Sequence, residues 1–127
     1  MNDATPDSPA TLAPVVMVVE DELLIATSLE LALESRGYRI LGPVATVDEA
    51  LELLQTTRPD MALIDYRLAS TTTEALLPSL DSKHIPVCVL TGYSMAQLPP
   101  AYASYTVLEK PFRLNTLMDA LDHLQTV

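Results

Sequence analysis

The sequence predicts an α/β protein of the (βα)₅ kind, with five parallel strands in one sheet and helices on both faces. Three observations lead there. Short Val- and Ile-rich runs recur at intervals too long for hairpins, so the chain must cross over between them and the strands run parallel. The intervening segments carry apolar residues at helical spacing. The chain is 49% hydrophobic but has one Phe, five Tyr and no Trp, so its core must be aliphatic, with Val for strands and Leu and Ala for helices. At 127 residues it is one domain's worth, enough for a proper core.

Residues 1–14, MNDATPDSPATLAP, hold three prolines among small polar residues and are expected to form a disordered leader before a folded domain over 15–127. Residues 15–19, VVMVV, read as a buried strand. Over 22–36, Leu24, Ile25, Leu29, Ala32 and Leu33 share one helical face, and Gly37 stops the helix. The second strand, 38–45, should bend or end near Gly42-Pro43, which suits a sheet edge. Thr46 or Asp48 then caps a short helix carrying Ala50, Leu51, Leu53 and Leu54. DMALID, 60–65, is the third strand. Residues 66–71 read as a loop and 72–80 as a helix with Pro78 near its end. IPVCVLT, 85–91, is the fourth strand. Pro99-Pro100 forbids a long helix after it. SYTVLE, 104–109, is the fifth strand, Lys110-Pro111 a turn, and 113–125 the last helix.

With 17 acids against 7 bases the formal net charge is −10. No basic patch can be assembled, which argues against binding nucleic acid or an anionic membrane. Cys88 lies in an apolar run and reads as a small buried hydrophobe. No targeting sequence or bilayer-length apolar run is visible, so a cytoplasmic location is expected. His84, in a turn, and His123, near the C-terminus, read as solvated residues.

In open parallel sheets, chemistry lies beyond the carboxyl ends of the strands. There the sequence places Glu20 and Asp21 after the first strand, Asp65 after the third, Thr91 after the fourth and Lys110 after the fifth. Each has an ordinary reading alone: an acidic helix start, a cap, a strand end, a surface amine. Their recurrence at equivalent strand ends favours one site. Three carboxylates at one point suit Mg²⁺, a hard ion that takes oxygen ligands. Asp65 can then act as a nucleophile toward phosphorus, with the Lys110 ammonium and Thr91 hydroxyl left to bind the phosphoryl oxygens.

VVEDE, LIDYRL, VLTG and EKPF, in this order, resemble the receiver domain of two-component response regulators, and the likeness covers the chain from Val15 to about Leu124. The resemblance implies a flavodoxin-like fold with main-strand order 2-1-3-4-5. It implies Asp65 as phosphoacceptor, Mg²⁺ held by Asp21, Asp65 and the Arg67 backbone carbonyl with Glu20 acting through water, and a cis Lys110-Pro111 peptide. The donor would be a histidine on another protein, a sensor kinase or a phosphotransfer protein. Docking is expected to use Leu23, Leu24 and Ile25 with Phe112, unless those residues simply face the core.

Two departures stand out. Where most receivers have an aromatic three residues before the lysine, this chain has Val107, the nearest aromatic being Tyr105. An aromatic instead follows the fourth strand, in TGY. That resembles the subgroup with a Phe-Ala-Thr-Gly-Tyr signature, often served by HWE or HisKA2 kinases, although VCVLTGY lacks the Phe and has Leu90 in place of Ala. Tyr93 and 94–103 become the expected moving part. Arg67 and Tyr93, each two residues beyond a site residue, are expected either to shield the aspartyl phosphate from water or to point to solvent.

The expected function is therefore a single-domain receiver, not an enzyme, that signals through protein contacts or serves as a phosphate sink. One alternative is a phosphorylation-independent pseudo-receiver. Another is a haloacid-dehalogenase-type phosphatase, which wants a second Asp where Arg67 stands.

Overall fold

The computed structural model describes residues 13–125, apart from the Met95 side chain. Most of the expected leader lies outside the described residues, as do 126–127. Five strands form one parallel sheet: β1 (Val15–Val19), β2 (Arg39–Val44), β3 (Met61–Asp65), β6 (Val87–Thr91) and β7 (Thr106–Glu109), in the order β2-β1-β3-β6-β7. This is the flavodoxin-like arrangement, with β6 and β7 as the fourth and fifth main strands. The helices are α1 (Leu23–Ser35), α2 (Val47–Thr56), α3 (Leu77–Ser82) and α4 (Leu114–Gln125).

Strand alternation divides the core into two layers. Val16, Val18, Met61, Leu63, Cys88 and Leu90 point to α1 and α4, meeting Leu29, Leu33, Leu117, Met118, Leu121 and Leu124. Met17, Val19, Ala62, Ile64, Val87 and Val89 point the other way, toward Ala50 and Leu54 of α2 and Leu76, Leu77 and Leu80 around α3. β1, β3 and β6 are buried on both faces, which is why their sequences read as continuous apolar runs. Burial pushes the Cys88 thiol up to about 12, so at neutral pH it stays a protonated, apolar core group.

Local sequence signals explain the ends. Gly37, at φ +93°, lets α1 finish with Gly37 N–H donating to Glu34 O and Tyr38 N–H to Leu33 O, a closure that needs a left-handed residue. Thr46 caps α2: its hydroxyl accepts from Glu49 N–H, and the Glu49 carboxylate accepts from Ala45 N–H, so Asp48 is not the cap. At the β2 edge, Gly42 has φ +98°, and a Cβ there would stand 2.8 Å from Val44 N. The β1–β2 register shifts between Met17 and Val19 beside it.

Two expectations are corrected. Residues 66–80 are not a loop and a helix. Arg67–Leu68 (β4) and Thr71–Thr72 (β5) pair antiparallel, a 3₁₀ turn covers Glu74–Leu76, and Pro78 lies in the first turn of α3. Consecutive β-branched threonines favour extended backbone, and proline suits a helix start, where its missing N–H is not needed. Leu24 is not on the core face of α1; it is 83% exposed, while Ala26, Leu29 and Leu33 are buried. Elsewhere the ends differ by at most two residues, as fraying ends do. Between β6 and β7 the chain makes two 3₁₀ turns, Met95–Gln97 and Pro100–Tyr102.

Candidate functional site

Sheet pairing assembles the site. Val19 pairs with Ile64, so Glu20 follows β1 next to Asp65 at the end of β3; Asp65 pairs with Leu90 and Thr91 with Glu109, so Thr91 and Lys110 come next along the same rim. Lys110 N–H donates to Thr91 O at 2.7 Å. Glu20, Asp65 and Thr91 are buried, and Asp21 is half-buried.

The Lys110 ammonium stands 3.0 Å from Asp65 Oδ1 and 3.4 Å from Glu20 Oε1. Its direction toward Asp65 Oδ1 misses hydrogen-bond geometry, so that pair is an ion contact, and Oδ1 is left with no hydrogen-bond partner among the described residues. Glu20 Oε2 accepts from Glu22 N–H at 3.1 Å. Burial, together with the Glu20 carboxylate alongside, pushes the Asp65 carboxyl up to about 8 despite the ammonium. Burial works against the Lys110 charge as well, but the attraction of Asp65 and Glu20 outweighs it and the ammonium is held above its ordinary value.

One ammonium does not balance three carboxylates. Glu20, Asp21 and Asp65 offer ligand oxygens within 4.8 Å of one another. With Asp65 Oδ1 held by no hydrogen bond and only by the Lys110 ion contact, this donor set fits a hard divalent cation.

Thr91 Oγ1 accepts from Tyr93 N–H at 2.9 Å, leaving its own proton to be donated toward the rim. Tyr93 is 45% exposed, and Arg67 is exposed on β4. The Lys110–Pro111 peptide is cis. Leu23 and Leu24 are exposed, whereas Ile25 and Phe112 are half-buried against the α1–α4 layer. His84 and His123 are exposed and line a shared cavity with Ile85 and Val87 at the start of β6, not the rim.

Sequence reasoning missed Thr73, Tyr66 and Tyr102. Thr73 Oγ1 donates to Asp65 O at 2.7 Å and stands 3.0 Å from the Tyr102 hydroxyl. The rings of Tyr93, Tyr66, Tyr102 and Tyr105 meet edge-on in succession, with centroids 6.0, 5.1 and 6.5 Å apart. The available signal was that four of five tyrosines fall in the stretch from β3 to β7.

A doubly wound parallel sheet with a carboxylate cluster, a threonine and a lysine gathered on its carboxyl rim is a flavodoxin-like α/β module with its candidate site at the strand ends. Residues 16–122 match the response regulator receiver domain, and the chain belongs to that family, which works in two-component systems under histidine kinases and typically binds Mg²⁺. It is 30% identical over 126 residues to the transcriptional regulatory protein PdtaR of Mycobacterium tuberculosis, covering 96% of this chain and 62% of that protein. It is 31% identical over 96 residues to the phyllosphere-induced regulator PhyR of Methylorubrum extorquens, covering 73% of this chain and 36% of PhyR. The chain thus spans less than two thirds of either relative. The receiver domain of a modulated diguanylate cyclase from Desulfovibrio desulfuricans superposes with a TM-score of 0.79 at 28% identity, over 90% of this chain and 94% of that one. Among the described residues, no helix is long and apolar enough to cross a membrane.

Proposed function

We propose that this receiver takes a phosphoryl group onto Asp65 from a phosphohistidine on a kinase or phosphotransfer protein and passes the state on through protein contacts. The observation that carries this reading is the buried Asp65 Oδ1, unpartnered by hydrogen bonds and 3.0 Å from the Lys110 ammonium. A carboxylate oxygen of Asp65 attacks the phosphorus, the P–N bond to the donor imidazole breaks, and the imidazole leaves with the bond's electrons and takes up a proton. Mg²⁺ bound by Glu20, Asp21 and Asp65, with the Arg67 carbonyl, would supply charge neutralisation at the phosphoryl oxygens. Lys110 exchanges its contact with the carboxylate for one with the phosphoryl group, and the Thr91 hydroxyl donates to another of its oxygens. The chain turns over no substrate of its own; it is an acceptor, not an enzyme.

The groove of about 380 Å³ between α1 and the start of α4, lined by Leu24, Ile25 and Phe112 among others, supports docking of the donor there, with Leu23 exposed beside it. The TGY motif supports a donor kinase of the HWE or HisKA2 type. Arg67 and Tyr93, both exposed and each two residues beyond a rim residue, would lengthen the phosphate lifetime by shielding the phosphoryl group from water; an unchanged decay rate in both Arg67→Ala and Tyr93→Ala would remove them from that role.

Incubation with Mg²⁺ and acetyl phosphate, followed by intact mass, should show one added phosphoryl group, absent in Asp65→Ala. A folded wild-type chain that gains no mass would leave a phosphorylation-independent interaction module as the better reading.

A further inference from the structure

The Asp65–Tyr66 peptide is held from both sides. Its N–H donates to Leu90 O of β6 at 2.7 Å, and its C=O accepts from Thr73 Oγ1 at 2.7 Å. Thr73 Oγ1 also reaches the Tyr66 carbonyl, at 3.3 Å. Carbonyls only accept, so the single Thr73 proton serves these two, the shorter bond going to Asp65, and the 3.0 Å contact with Tyr102 is then met by the Tyr102 O–H donating to Thr73 Oγ1. The direction of the chain is fixed: Tyr102 to Thr73 to the Asp65 carbonyl. Both hydroxyl residues are sealed from water, Thr73 at 0% and Tyr102 at 1% exposure, where a lost partner is costly and linked hydrogen bonds strengthen one another. Tyr66, on the far side of the same peptide, closes the loop by meeting the Tyr102 ring edge-on at 5.1 Å.

Tyr102 belongs to the crossover between β6 and β7, and Tyr93 at the crossover's other end donates its N–H to Thr91 Oγ1. Both arms of the rim site therefore lead into one segment. We infer that Thr73 and Tyr102 are positioning residues for Asp65, and that their hydroxyl chain carries a change at the acceptor peptide into the β6–β7 crossover. This rests on Asp65 being the acceptor. The acceptor's backbone cannot shift without lengthening the 2.7 Å bond to Thr73 or drawing Tyr102 with it, and the crossover is built of short 3₁₀ turns that can yield.

The test is ¹⁵N NMR of the full chain titrated with Mg²⁺ and beryllofluoride. In the wild type, amide shifts should move both at 65–67 and across 94–103. In Tyr102→Phe, which keeps the ring, and in Thr73→Val, the movement at 65–67 should persist while that across 94–103 falls by more than half; Thr73→Ser should restore it. A crossover response in Tyr102→Phe equal to wild type would overturn the inference. So would loss of the response at 65–67 in a folded Tyr102→Phe chain, since the pair would then only hold the site together. A wild type with no response at 65–67 fails at the earlier step, the acceptor role of Asp65, and takes the inference with it. Should Thr73→Val not fold, Tyr102→Phe and Thr73→Ser still decide.

Discussion

The two faces of the sheet are closed by different means. On one, α1 and α4, of 13 and 12 residues, lay leucines and a methionine over the strands. On the other, α2 has 10 residues and α3 has 6, and the remaining area is filled by Leu76 from a 3₁₀ turn and by Tyr102 from the crossover. A long helix satisfies its own backbone, so the first face needs only apolar side chains. Short turns and a strand end leave backbone groups that need outside partners, and the second face supplies them with buried hydroxyls, such as Thr73 for the Asp65 carbonyl. The face with poorer helical cover is thus the one wired to the rim.

The largest expected effect tests the regular face. Leu121→Ala should cost about 2–5 kcal/mol in urea unfolding, because the leucine is fully buried between a long helix and the sheet and the gap cannot close. Leu76→Ala removes an equally buried leucine from a short turn that can relax, so its cost should lie lower in that range. Equal costs would break the comparison.

At the rim, where the two layers end, the buried group is an ionisable carboxyl. The Asp65 carboxyl is raised to about 8 from its ordinary value of 3.8, so between those values the folded protein holds a proton that the unfolded chain has released. Metal-free stability should therefore fall as pH rises from about 4 to 8 and level off above, by roughly 1–3 kcal/mol after allowing for Lys110 and solvent. Asp65→Asn should flatten this slope, and Mg²⁺ at pH 7.5 should raise the wild-type Tm but not that of Asp65→Asn. A wild-type profile flat over that range would show that the carboxylate is already balanced within the chain.

The smallest effect belongs to the second face's one well-capped helix. Thr46→Ala should cost about 1 kcal/mol in the same unfolding measurement, through the loss of the acceptor for Glu49 N–H. No loss would mean that the Glu49 side chain alone holds the start of α2.

The regular face was readable from the sequence because its determinants are local: the helical spacing of Leu29 and Leu33 in α1, Gly37 after it, and the unbroken apolar runs of β1, β3 and β6. The rim residues were readable too, since each follows a strand end and parallel pairing must bring those ends together. Leu24 misled because an apolar residue at helical spacing does not state which side it faces; it lies in the first turn, turned to solvent. The stretch 66–80 misled because an antiparallel pair of two-residue strands has no periodicity to detect. Thr73 and Tyr102 escaped for another reason: 29 residues separate them, and nothing local marks a threonine in a run of three as the one that is buried.

Gly42 and Pro43 carry a consequence for assembly. β2 forms one border of the sheet, and a border strand ordinarily offers a ladder to any stray extended chain. Here Pro43 has no N–H to give, and the irregular pairing at Met17–Val19 bends the border out of line. Fibril-like growth from that side is thereby discouraged, and self-association there would have to come from helical surfaces rather than from an extended sheet.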